Sequence, residues 1–209
     1  MMTEKYQYDL VVLAADRDME ATLEGLLNRR HALEIKAIRY NVFRHPEHDA
    51  GCRTQGVNFL RNFSRNHQYA LLCFDLDGSG EDDANPEELE RNLELELSRN
   101  GWDDRAKAIV INPELEIWIW SGSSQVDNIC GWGGRIPSMR DWLVEEKYLN
   151  SRNAKPDRPK EAFRHTLREV RKQPSSSLFK KMAEKVSFKS CTDRAFKKFI
   201  STIQEWFPK

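Results

Sequence analysis

Three short runs of apolar residues punctuate a chain that is otherwise densely charged: residues 8–15 (YDLVVLAA), 69–74 (YALLCF) and 106–111 (AKAIVI). Each is brief, rich in aliphatic residues and bounded by polar ones, which predicts strands buried on both faces. Residues 33–42 alternate instead, with Leu33, Ile35 and Ala37 set against Glu34 and Lys36, and predict a further, less buried strand. Between these runs the apolar spacing stretches to three and four. Met19, Leu23, Leu26 and Leu27 place a helix over residues 19–29, and another is expected over 56–66. Residues 43–53 (FRHPEHDAGCR) are polar, contain Pro46 and Gly51, and read as a loop. Asn85-Pro86-Glu87-Glu88 opens a helix with a capping residue, a first-turn proline and first-turn acids, and Asn112-Pro113-Glu114 repeats the signal. Past residue 121 a Gly/Ser-rich segment leads into helical patterns near 138–148, 159–172, 178–186 and 192–206.

Strands alternating with helices predict an α/β fold with a mostly parallel sheet flanked by helices. A C-terminal helical region follows. The expected division is an α/β core over 1–121 and a basic helical region over 122–209, packed on that core. At 209 residues and 39% apolar content the chain suits one such unit rather than two independent domains. No apolar run reaches the roughly 18 residues that a membrane-spanning helix needs, and the N-terminal residues do not read as a signal peptide. Four scattered cysteines without a CxxC pair exclude a zinc ribbon and argue against a disulfide framework, so a reduced, cytoplasmic protein is expected.

Charge changes this picture only when it is read along the chain. The 33 basic and 33 acidic residues cancel overall, but residues 1–150 hold 17 against 27 and residues 151–209 hold 16 against 6. An acidic front followed by a basic tail is a pattern that suits contact with a polyanion.

In parallel sheets ligands sit beyond the carboxyl ends of the strands, and here each long apolar run ends in acids. Asp16 follows the first, with Glu20 one helical turn on; Asp75 and Asp77 follow the second in FDLDGSG; Glu116 lies just past the third. Carboxylate oxygens suit Mg²⁺ or Mn²⁺, which takes one or two protein carboxylates and completes its shell with water and substrate phosphate. Asp16, Asp75 and Asp77 are the expected metal ligands, with Glu20 and Glu116 as candidate general bases or outer ligands. Lys155, Arg158, Lys160, Arg164 and Arg168 are the expected phosphate contacts, the last three spaced by four along one helix face. An EF-hand reading of DLDGSG fails because its twelfth position is Pro86. A haloacid-dehalogenase-type reading is a minor alternative, since two strands precede the motif. No GxxxxGK[ST] motif is present, so intrinsic ATP hydrolysis is not expected. His45, Glu47, His48 and Asp49 lack the further ligands of a zinc site, while Arg44, His48 and Arg53 are candidate substrate contacts. Trp118 and Trp120 read as core, and Trp132 as a loop residue open to a ligand or partner.

Three of these blocks, in this order, resemble a Toprim-type domain, specifically the RloB-like group of bacterial anti-phage defence islands. LVVLAADRDME resembles its strand-then-acid opening, with Asp16 and Glu20 in the acidic places. LLCFDLDGSG resembles its DxD at Asp75 and Asp77. INPELEIWIW resembles its Asn-Pro-x-x-Glu-x-Trp block, with Glu116 as the acid, and KPDRPKEAF resembles a lysine-proline block. The resemblance spans roughly residues 8–165. It implies metal-dependent cleavage of DNA or RNA phosphodiesters, or a nuclease-derived subunit, in concert with other defence proteins. The family opening has glutamate followed by glycine, whereas this chain has Asp16-Arg17. That departure carries the alternative expectation, a non-catalytic nucleic-acid-binding or adaptor protein.

Overall fold

The computed structural model describes residues 6–120, 123–187 and 191–209. Four parallel strands form one sheet in the order β2-β1-β3-β4: β1 (Tyr8–Ala14), β2 (Tyr40–Arg44), β3 (His67–Asp75) and β4 (Ala106–Ile111). The apolar runs lie as expected, with Leu10 to Ala14 and Ala70 to Phe74 buried in the two central strands. The register sets Leu13 between Phe43 and Leu72, and ends with Asp75 beside Ile111. All the carboxyl ends therefore open on one edge.

Two expectations for the first half change. Residues 33–42 are not one strand: a helical turn, α2 (Arg30–Leu33), ends at Glu34 with a left-handed φ of 61°. Ile35 then bridges Pro208, and pairing with β1 begins at Tyr40. The alternation reflected Leu33 and Ile35 entering the core from a helix end and an isolated bridge. Residues 48–53 are not loop either, because α3 (His48–Arg61) starts there. Its glycines serve close packing: a Cβ on Gly51 would collide with the His45 ring, and one on Gly56 would fall 2.7 Å from Leu72 Cδ1.

α1 (Arg17–Leu27) connects β1 to β2 and runs opposite in direction to the later crossovers. Right-handed connections therefore place it on one face, with α3 and α4 (Pro86–Leu97) on the other. Asn85 caps α4, its Oδ1 accepting from the Glu87 and Glu88 amides at 2.9 and 3.1 Å. The Asn112-Pro113-Glu114 signal yields only a short 3₁₀ turn, Leu115–Trp118. Beyond it come α5 (Ser124–Cys130), α6 (Met139–Glu145), α7 (Pro159–Glu169), α8 (Ser176–Lys185) and α9 (Arg194–Trp206). The C-terminal region packs on the core: α8 lies along α1, α9 lies against β4, and Trp206 stacks on Tyr69 at 4.5 Å. One apolar core runs through both parts, from Leu10 and Leu72 to Phe163, Phe199 and Ile203. The four cysteines are free and buried, and among the described residues no helix is long and apolar enough to cross a membrane.

At the β4 edge, charged side chains complete the sheet. Glu90 of α4, only 2% exposed, accepts from the Val110 amide at 2.8 Å, and Glu94 accepts from Ala108 at 3.2 Å. From α9, Arg194 pairs with Glu90 at 2.7 Å and donates to the Val110 carbonyl, while Lys198 reaches both glutamates. This satisfies part of an otherwise open strand edge and blocks pairing with another chain. Removing Glu90 leaves the Val110 amide without its acceptor and Arg194 without its buried carboxylate, while Lys198 keeps Glu94. We expect Glu90→Ala to cost about 3–5 kcal/mol in urea denaturation. Exposed Glu88→Ala is expected to stay within about 0.5 kcal/mol; equal effects would remove the edge network's role.

Candidate functional site

Each acid is placed by the end of a strand. Asp16 lies two residues past β1 in extended conformation and caps α1, its Oδ1 accepting from the Asp18 and Met19 amides at 2.9 and 2.8 Å. Asp75 is the last residue of β3, and its carboxyl points inward. Its amide donates to Asp49 Oδ1 at 2.8 Å, which fastens the start of α3 to the strand end. Its own Oδ1 is buried with no hydrogen-bond partner. The chain then clamps onto the extension of β4, Leu76 bonding to the Ile111 carbonyl and Asp77 to that of Pro113. Asp77 itself is exposed. Glu116, on the 3₁₀ turn after β4, is 6% exposed.

Lys160, at the start of α7, enters this group from the C-terminal region. Its amide donates to Glu114 Oε1 at 2.9 Å and its ammonium lies 3.2 Å from Oε2. Burial works against the ammonium, but Glu116, Glu114 and Asp75 outweigh it and hold its pKa above the ordinary lysine value. Burial also pushes the Asp75 carboxyl well above its usual range, and the charges of Asp49 and Glu116 add to this; the Leu115 amide and Lys160 oppose it. Asp49 is raised by burial and by Asp16, and Asp18 by the same two causes, with Lys160 opposing in both. Glu116 is pushed up to about 7, chiefly by burial. Mutually repelling, half-desolvated carboxylates around one ammonium are the electrostatic signature of the site.

The structure brings together Asp75, Glu116 and Lys160 from the expected set, and adds Asp18, Asp49 and Glu114, which sequence reasoning did not select. Asp49 lay in the segment read as loop; the closely packed Gly51 and Gly56 on the same helix were the available sign. Glu20 is drawn aside into an ion pair with Arg44 at 2.9 Å. Arg53 holds the loop after β3, donating to the Ser79 carbonyl at 2.6 Å, and pairs with Glu81. The Lys155 ammonium is buried without a hydrogen-bond partner and so does not present itself to a phosphate. Exposed Arg158 pairs with Glu161. Trp132 is 3% exposed rather than open, its indole N–H bonded to the Pro137 carbonyl and its face covered by Arg135 and Trp142. Trp118 and Trp120 are core, as expected.

A cleft over the ends of β1 and β2 is lined by Asp16, Asp18, Arg44, His48 and Ser176. It meets, at Pro174, a second hollow lined by Arg164, Arg168, Arg171 and Lys172. As a test of Mg²⁺, the chemistry of the donors fits: hard carboxylate oxygens, one of them buried and unpartnered on Asp75. Among the described residues no group of three or more His, Cys, Asp or Glu side chains is placed to hold a metal ion. Asp16, Asp75 and Asp77 are thus not gathered as a three-carboxylate set. The fit is to a cation held by one or two carboxylates, Asp75 with Asp49 or Glu116 beside it, that draws its other ligands from water and phosphate. No family model, curated protein or solved structure matches the chain.

Glu116 makes stability depend on pH. Its folded pKa near 7 exceeds the ordinary 4.5, so the folded state retains a proton that the unfolded chain has released. Its contribution is complete below about pH 4.5 and is lost as pH rises through 7. In chelator-containing buffer we expect stability to fall from pH 5 to pH 8, and Glu116→Gln to remove up to about 3 kcal/mol of that fall. Urea titrations at the two pH values measure it; an unchanged slope in the variant would show that Glu116 titrates normally.

Proposed function

We propose that this protein is a Toprim-like, divalent-metal-dependent nuclease, or a subunit derived from one, that acts on the phosphodiester backbone of DNA or RNA. The observation that carries this reading is the buried, unpartnered Asp75 oxygen at the carboxyl edge, with the charges of Asp49 and Glu116 acting against it; at the same edge the cleft lined by Asp16 and Asp18 joins a hollow of exposed arginines. Mg²⁺ or Mn²⁺ at Asp75 would supply Lewis-acid polarisation of a phosphate oxygen. The protein's own groups have distinct tasks. Asp49 orients Asp75 through the strand-end amide. Lys160 offsets the charge of Glu114 and Glu116 and offers a cation toward a bound phosphate. Glu116, titrating near neutral pH, is suited to accept or return a proton. Arg164 and Arg168 hold flanking phosphates without reading sequence. A role in anti-phage defence, beside other defence proteins, follows from the family resemblance.

A second reading is favoured by the internal pairing of the acids. Asp16 caps a helix, Glu20 pairs with Arg44 and Glu114 with Lys160, so the pocket is partly neutralised without a metal. On this reading the protein binds nucleic acid or serves as an adaptor without cleaving.

Incubation of duplex DNA, single strands and tRNA with Mg²⁺ or Mn²⁺ separates the two. Cleavage by the wild type that falls about 10²-fold or more in the near-isosteric Asp75→Asn supports the nuclease. Equal cleavage by both proteins would sink the site assignment, and cleavage by neither favours the adaptor. In either case Arg164→Ala/Arg168→Ala should weaken binding uniformly across sequences and reduce the salt slope by about one to two.

A further inference from the structure

We propose a second phosphate site at the opposite, amino edge of the sheet, between the segment after α3 and the turn after α4, that takes the backbone phosphates of a nucleic acid. Arg61 at the end of α3, Arg65 from the segment after it and Arg99 from the turn at Ser98–Trp102 line one hollow with Asn62, Ser64 and Asn100. The three arginines are exposed, and none forms an ion pair or side-chain hydrogen bond with a described residue. Several other exposed arginines are matched, Arg39 with Asp9, Arg135 with Glu169 and Arg152 with Asp141. Glu96, Asp103 and Asp104 neighbour Arg99 in sequence, yet none pairs with it.

The walls of this hollow are tied together from beneath. Arg105 donates to the Gly101 carbonyl at 2.9 Å and the Ser64 carbonyl at 3.4 Å, one on each wall, and to the Gln68 carbonyl at 2.8 Å. Its guanidinium lies over the Trp102 and Tyr6 rings. Gly101, at a φ of 91°, lets the turn pass so close that a Cβ there would sit 3.4 Å from Ser64 Oγ. The three free guanidiniums thus project from a preformed support that carries a fourth positive charge. Their forked donors match phosphate oxygens. The lining holds no apolar or aromatic side chain to serve as the desolvated anchor of a protein interface, which favours a ligand bound by charge.

The inference rests on the nucleic-acid reading of the carboxylate edge and extends it. β3, with 9 residues at about 3.3 Å each, separates the two edges by roughly 30 Å. At about 3.4 Å per base pair, a duplex of about eight pairs cannot reach both and one of about 24 pairs can.

Fluorescence anisotropy in EDTA, where cleavage cannot intervene, tests this with labelled duplexes of these two lengths. The wild type should bind the longer about tenfold more tightly. Arg61→Ala/Arg65→Ala/Arg99→Ala should abolish that advantage and lower the salt slope by about two, with an unchanged melting temperature because all three side chains are exposed. The corresponding triple Arg→Lys variant should retain part of the affinity. Unaltered affinity and slope in the alanine variant would overturn the proposal, as would failure of the wild type to bind DNA. If inorganic phosphate raises the melting temperature of the wild type alone while DNA affinity is unaffected, the hollow is a free-phosphate site and the polynucleotide assignment falls. Lost DNA affinity in the triple variant, together with absent cleavage by the wild type, would refute the nuclease and leave this site standing.

Discussion

Lys160 bonds to Glu114 through both its amide and its ammonium, and its charge acts on Glu116, Asp75, Asp49 and Asp18 as well. Five acids from three strand ends and a helix start could not be half-buried together without an opposing charge, because each would raise the pKa of the next until the group neutralised itself. The cation comes from the C-terminal region and the acids from the sheet. Charge balance at the site and docking of the helical region are therefore a single constraint.

A similar exchange operates at the β4 edge. Glu90 and Glu94 of α4 turn inward to receive strand amides, and Arg194 and Lys198 of α9 neutralise them. The acidic front and basic tail, which cancel in the total, cancel here by direct contact. Part of the tail's charge is consequently structural. Six of the exposed arginines without an ion pair line two hollows, Arg164, Arg168 and Arg171 beside the carboxylates and Arg61, Arg65 and Arg99 at the far edge, and these are the surfaces that the proposed reading assigns to an anionic polymer.

Burial gives the site its chemistry. In water these carboxyls would be fully ionised at neutral pH and would hold a cation weakly. Burial at the strand ends raises Asp75 and Glu116, so on the proposed reading a bound divalent cation would relieve their repulsion while a proton is the alternative occupant. Competition between cation and proton would then link the site to pH through the groups that the proposed reading sets against a phosphate.

The sequence by itself determined three of the parallel strands, because aliphatic runs bounded by charge are stable only in a sheet covered on both faces, and it placed Asp75 at a strand end and Glu116 just past one. It also marked Asn85 as a helix cap, since that signal is local. Tertiary structure alone decided what depends on distant partners. Residues 33–42 look like a strand until Pro208 claims Ile35. Asp49 becomes part of the site only when α3 docks on Asp75. The Lys155 ammonium is buried and Lys160 is half-buried and paired with Glu114, although both read as surface cations, because burial is a property of packing and not of residue type. Trp132, flanked by glycines, is covered by Trp142 and Arg135 from elsewhere in the fold. Charge spacing along one strand or helix is legible in sequence; which opposite charge meets it across the fold is set by long-range packing.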